Sequence, residues 1–232
     1  PIWWGKEDVL DPYKTAQDKW RVEHYKAQLE PAFTPEAWNW VKSLPVDPIT
    51  RGGPLDPYKG ESYRNIGGFY ASGKRASGWI EDLKAGLGRD TARSPEYIGV
   101  MRGDKLPFSD TMTGIPHEIG HAAYNRLDDK TKERFTKQAT ELLTELKTSP
   151  QTVFSPGDTL GMSTPEAMLG RRLVMSRDPQ WSEAQRTWLL DLAEYYADLV
   201  ARQSSPNEAD RPFNTPARQT GWLDFFPFLT RR

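Results

Sequence analysis

The sequence predicts a helix-rich α+β chain in which a small sheet accompanies several helices. Three observations carry this. Several long stretches space their apolar residues three and four apart, the repeat of an amphipathic helix. Two short runs, Ile66-Gly67-Gly68-Phe69-Tyr70 and Tyr97-Ile98-Gly99-Val100-Met101, have strand character and lie between turn-forming segments. Finally, 19 Pro and 18 Gly in 232 residues break the chain often enough to leave much of it in surface loops. Only 37% of residues are hydrophobic and the mean hydropathy is -0.74, but nine Trp, nine Tyr and nine Phe offset that. Each aromatic buries a large area, so a real core is expected.

Taken in order, the first helix is expected over Asp11 to Gln28, with Trp20, Tyr25 and Leu29 facing inward. Thr34-Pro35-Glu36-Ala37 then opens a second, with Thr as N-cap, Pro at the first helical position and Glu in the electropositive first turn. Leu44-Pro45 closes it. Residues 45–78 read as loop with short strands. A pentapeptide, Leu-Asp-Pro-Tyr-Lys, occurs at 10–14 and again at 55–59. It reads as two Asp-Pro turns or helix starts that coincide, with a recurring recognition or processing sequence as the alternative.

Gly78 to Leu87 forms a candidate short helix between the two strand candidates, and Asp104 to Thr113 reads as a loop. The next helix is expected to begin near Pro116, because an interior proline removes a hydrogen bond. Asp128 to Lys147 carries Phe135, Ala139, Leu142, Leu143 and Leu146 at helical spacing. Thr164-Pro165-Glu166-Ala167 repeats the earlier cap and opens a helix to about Met175. Trp181 to Gln203 is expected as one long helix with Trp188, Leu192, Tyr195 and Leu199 as its stripe. Residues 204–218 resemble an exposed linker, and Trp222 to Leu229 form an aromatic tail able to dock on the body or on a partner. The organisation expected is one domain over 1–203, with a helical portion at 1–45 and a catalytic core from about 60 to 203, followed by linker and tail at 204–232.

The charge balance, 31 basic against 32 acidic residues, predicts neither a nucleic-acid partner nor an anionic membrane surface. With no Cys, disulfides and thiolate metal sites are excluded. No apolar run approaches a membrane span and no signal-peptide pattern is seen. A cytoplasmic chain is expected, or one delivered with a virion or as an effector. The start at Pro1 suggests a piece of something longer, whose targeting segment would lie outside it.

The chemistry concentrates at His117-Glu118-Ile119-Gly120-His121. Two His four apart on a helix project from one face, about one turn apart, and can reach one metal ion. Glu118 lies beside that ion and is placed to move a proton between an attacking water and a leaving amine. The chain has only three His, which makes the pairing specific. Gly120 lets a neighbouring element pass close by, and small or apolar neighbours suit a buried helix.

This H-E-x-x-H segment resembles the zincin metallopeptidases, strongly over residues 114–124 and weakly elsewhere. The resemblance implies a zincin-like fold with a small mixed sheet and an active-site helix, and an edge strand before the motif, at Tyr97 to Met101, that holds substrate. It implies Zn2+ bound by His117 and His121, Glu118 as general base, and a peptide or protein substrate. A catalytic zinc needs a third protein ligand. No His follows His121, so the metzincin-like extension is ruled out, and His24 reads as a surface or packing residue. A downstream carboxylate is therefore expected, as in the gluzincin branch.

Glu194 lies in Ala193-Glu194-Tyr195-Tyr196-Ala197-Asp198, similar to a run in anthrax lethal factor and related enzymes. It also resembles the Glu-x-x-x-Asp run of thermolysin-like enzymes, whose acid orients a histidine ligand. Leu190, Ala193, Ala197 and Ala201 share its face and suit close helix packing. Glu166, 45 residues after His121, is the alternative, although helix initiation already accounts for it. Glu194 is preferred. Composition and motif together resemble metallopeptidase domains of phage or mobile-element polyproteins, or delivered effectors. Two other functions stay open: a zincin-fold structural, virion or partner-binding component without catalysis, and a metal hydrolase of a non-peptide substrate.

Overall fold

The computed structural model describes residues 12–50, 68–71, 96–102, 108–148, 164–205, 211–213 and 221–230. Seven α-helices and three strands fall among them: α1 (Pro12–Ala27), α2 (Pro35–Ser43), β1 (Val46–Thr50), β2 (Gly68–Ala71), β3 (Tyr97–Arg102), α3 (Phe108–Arg126), α4 (Asp129–Thr148), α5 (Pro165–Ser176), α6 (Glu183–Leu189) and α7 (Leu192–Gln203). The chain is helix-rich α+β. Contacts group it into two compact units, residues 1–30 with 38–118 and residues 31–37 with 119–232, so the divide passes through α2 and α3 themselves.

In the first unit, the strand order is β1-β3-β2, with β1 parallel and β2 antiparallel to β3. The sheet is mixed, and β3 is its central strand rather than an edge. That corrects the expectation that Tyr97 to Met101 would offer a free edge. Pro48 suits β1 as an outer strand among those described, because proline has no N–H to donate to a ladder. The turn-like composition of 45–50 hid this strand.

Helix α1 buries Val22 and Lys26, one turn apart, and the turn after it buries Leu29. Trp20 lies two residues from Val22, about 200° around a helix, and is 64% exposed, not inward. It stacks instead on exposed His24, with ring centroids 5.1 Å apart. Lys26 carries its ammonium to the open end of α2, donating to the carbonyls of Lys42 at 2.8 Å and Leu44 at 2.5 Å. These carbonyls have no helical donor. Burial lowers the Lys26 pKa, against a smaller raising effect from the Glu23 charge.

The second unit has an aromatic core. Phe135 of α4 meets the rings of Tyr124, Tyr195, Tyr196, Trp222, Phe225 and Phe226 at centroid separations of 5.0–6.5 Å. The C-terminal tail is thus built into this core. Its end also binds the segment at 31–37: Thr34 N–H donates to the Phe228 carbonyl and Thr230 N–H to the Ala32 carbonyl, both at 2.9 Å. The expected exposed linker is in part interior. Ser204, Pro212 and Phe213 are buried, and Phe213 N–H donates to Gln203 Oε1 at 3.1 Å.

Both Thr-Pro-Glu-Ala segments start helices. Thr34 Oγ1 accepts from Ala37 N–H at 3.3 Å and Thr164 Oγ1 from Ala167 N–H at 3.0 Å. The long helix expected over Trp181 to Gln203 is two helices. Ser182 and Gln185 form a reciprocal capping box at the start of α6, and Asp191 starts α7 afresh by accepting from Ala193 N–H at 2.8 Å. With the helix broken at 190–191, Trp188 leaves the apolar stripe and is 50% exposed. The helix at 78–87 and the second pentapeptide lie outside the described residues. No described helix is long and apolar enough to cross a membrane.

Candidate metal centre

Helix α3 begins at Phe108, eight residues before Pro116, so the loop expected over 104–113 is partly helical and the proline is interior. Lacking an N–H, Pro116 leaves the Met112 carbonyl without its i+4 donor immediately before His117. Ile115, Ile119, Ala122 and Ala123 are buried and hold one side of the helix inside. His117 and His121, one turn apart, are both half-buried, while Glu118 is only 6% exposed.

Gly68 of β2 borders Glu118 directly. A Cβ added there would lie 3.3 Å from Glu118 Cγ, 3.4 Å from Oε1, and 3.0 Å from the Gly99 carbonyl oxygen. A glycine in a strand interior often marks such an approach, and the Gly67-Gly68 pair was its only signal in the sequence.

Gly120 faces Ala197 of α7. Its missing Cβ would lie 2.6 Å from Ala197 Cα, 3.0 Å from the Ala197 carbonyl oxygen and 3.1 Å from the Ala197 Cβ. No side chain fits between the two helices there. The close crossing brings the first turn of α7 to the motif: Glu194 Oε1 lies 3.3 Å from His121 Nε2, with both side chains about four-fifths buried. Because Asp191 caps α7, Glu194 occupies the third position of the helix, where the dipole favours a carboxylate.

His117, His121 and Glu194 each offer one ligand atom, and these atoms all lie within 4.8 Å of one another. The donor set suits zinc, two imidazoles and one carboxylate. Zinc–ligand bonds of about 2.0–2.2 Å in a tetrahedron give ligand–ligand edges of about 3.3–3.6 Å. The His121–Glu194 separation of 3.3 Å meets that edge. Glu166 is not part of this group. It sits half-buried in the first turn of α5, where its charge raises the Tyr195 pKa after the larger effect of burial.

The rest of the run after Glu194 has other partners. Burial pushes the Tyr195 and Tyr196 phenols well above their ordinary pKa. Tyr195 donates to the Pro165 carbonyl and Tyr196 to the Phe225 carbonyl, each at 2.8 Å. Asp198 pairs with Arg172 of α5, at 2.6 Å from Nη2. Sequence spacing gave no hint of that arginine. Tyr70, two residues beyond Gly68 on the same face of β2, donates to Glu96.

Compared with protein-family models, with curated proteins and with solved structures, the chain matches none.

Proposed function

We propose that the chain is a zinc-dependent endopeptidase in which His117, His121 and Glu194 hold the metal and Glu118 is the general base. One observation carries the reading: three donors of the right chemistry converge within 4.8 Å, one turn of helix from a buried glutamate. Zinc bound there would act as a Lewis acid toward water and the scissile carbonyl. Glu118 would take the proton of the attacking water and deliver it to the leaving amine. Its burial keeps bulk water from competing for that proton, and Gly68 leaves its carboxylate room to lie against the strand. A peptide substrate is favoured because β2 is outermost among the described strands of its sheet and borders Glu118. Extended peptides add to such edges.

The His121–Glu194 contact on its own also suits a plain ion pair, as in a non-catalytic protein. Metal analysis separates the two. The expected result is about one zinc per chain, lost on His117→Ala. Glu118→Gln should keep the zinc and lower turnover about 10²–10⁴-fold on any peptide the wild type cleaves. A zinc-free wild type, or a Glu118→Gln chain of full activity, refutes the proposal.

A further inference from the structure

Arg172 is among the few charged side chains buried in the described residues, with 7% of its side chain exposed. One guanidinium makes three kinds of contact. Nε donates to Asp198 Oδ2 at 2.8 Å, and Nη2 lies 2.6 Å from the same oxygen. Nη1 donates to the Leu189 carbonyl at 3.0 Å and lies 3.5 Å from the Trp188 carbonyl. The Trp188 ring covers the group, with its centroid 5.3 Å from Cζ.

The two ends of this clamp fall on either side of the elbow between α6 and α7. Trp188 and Leu189 close α6; the Trp188 carbonyl already accepts from Asp191 N–H at 3.1 Å, and Arg172 Nη1 makes its shorter bond to the Leu189 carbonyl. Asp198 belongs to α7, one turn after Glu194 and on the same face. Asp191 fixes where α7 starts, and the Gly120–Ala197 crossing with the phenols of Tyr195 and Tyr196 holds its inner side. Arg172 holds the face that carries Asp198 and, one turn earlier, Glu194. Rotation of α7 about its axis matters at Glu194. At a side-chain radius of about 5–6 Å, a turn of about 20° moves a carboxylate by about 2 Å, whereas a metal–ligand bond tolerates about 0.2 Å.

We propose that Arg172 is the positioning residue of the third metal ligand. By holding Asp198 and the Leu189 carbonyl together, it fixes the outer face of α7 and trims the rotation that the Gly120–Ala197 crossing leaves to Glu194. The inference rests on the metal-site reading above and adds to it a residue that steadies Glu194 from outside the ligand set. It also gives Asp198 a role, as the α7 carboxylate that Arg172 of α5 holds.

The deciding variant is Asp198→Asn in the full chain. It keeps the shape of a side chain that is 36% exposed and removes the charge that Arg172 holds. Arg172→Lys is its companion, since a lysine cannot span both partners with a planar fork. Zinc affinity is measured by competition with a chromophoric chelator, ligand geometry by the visible spectrum of the Co2+-loaded protein, and stability by thermal unfolding of the metal-free protein. Both variants should bind zinc about 10–100-fold more weakly, as for other outer partners of metal ligands, with altered Co2+ bands. In a Glu194→Ala chain, Asp198→Asn should cost no further affinity, because its effect runs through Glu194.

Zinc affinity within two-fold of wild type with an unchanged Co2+ spectrum overturns the inference, even if the melting temperature falls. So does an equal loss in the Glu194→Ala background. A wild-type chain that binds neither Zn2+ nor Co2+ fails differently, since it removes the metal site itself.

Discussion

Gly120 and Gly68 both exclude a methyl group, yet they meet different kinds of neighbour. Gly120 meets the main chain of α7, with Ala197 Cα only 2.6 Å from where a Cβ would stand. Gly68 meets a carbonyl oxygen at 3.0 Å and then the side chain of Glu118 at 3.3 and 3.4 Å. A backbone held inside a packed helix cannot step aside, whereas a carboxylate can turn about its own bonds. The two halves of the motif are therefore secured differently. The half bearing His121 is fixed by main-chain contact beside an aromatic core, and the half bearing Glu118 by a strand against an adaptable side chain. Metal retention and turnover should respond to different substitutions.

The largest effect is expected where the aromatic core itself is opened. Phe135 is fully buried and touches six other rings, including Tyr124 on the motif helix and Tyr195 and Tyr196 beside Glu194. Phe135→Ala should cost about 3–5 kcal/mol in chemical denaturation of the metal-free protein. A loss below about 1 kcal/mol would mean that the rings are not what braces this half.

Next comes Gly120→Ala, for which overpacking costs about 1–3 kcal/mol. Zinc affinity should fall as well, because α7 must retreat and take Glu194 with it. Adding Ala197→Gly offers a sharper check. It removes only the Cβ at 3.1 Å and leaves the Cα at 2.6 Å and the carbonyl oxygen at 3.0 Å, so rescue should be partial. Complete rescue would show that side chains, not main chain, set the helix separation.

The same contrast explains what could be read from the sequence. Features that depend on a few neighbouring residues were legible: the caps at Thr34 and Thr164, and the helix over Asp129–Thr148. The spacing of His117 and His121 also belongs to one helix and follows from its period. Features made by distant segments were not. The break at 190–191 was missed because an apolar stripe ran through it, although Asp191 followed by Glu194 three residues later is a helix-start signal. Trp20 reads as inward on hydrophobicity alone, while the buried phase of α1 is set by Val22 and Lys26. A buried lysine in that phase reads as polar until its carbonyl partners on α2 are known. Pro116 reads as a helix start, but the helix carries it in its interior, eight residues after Phe108.

Gly68→Ala should produce the smallest change in stability, since its neighbours need give by only a few tenths of an ångström. Its consequence should appear in turnover. A methyl group at 3.3 Å from Cγ and 3.4 Å from Oε1 presses on the end of Glu118 and displaces the proposed base from the attacking water. Misplacement of a catalytic group by about 1 Å can cost about 10²-fold in rate, so a shift of a few tenths of an ångström should lower kcat several-fold while zinc content stays at wild-type level. Gly120→Ala should do the reverse, losing metal first and recovering some activity when zinc is supplied in excess. If both glycine variants lose zinc in parallel, the two halves of the motif do not act separately, and the strand at Gly68 supports the metal ligands as much as the base.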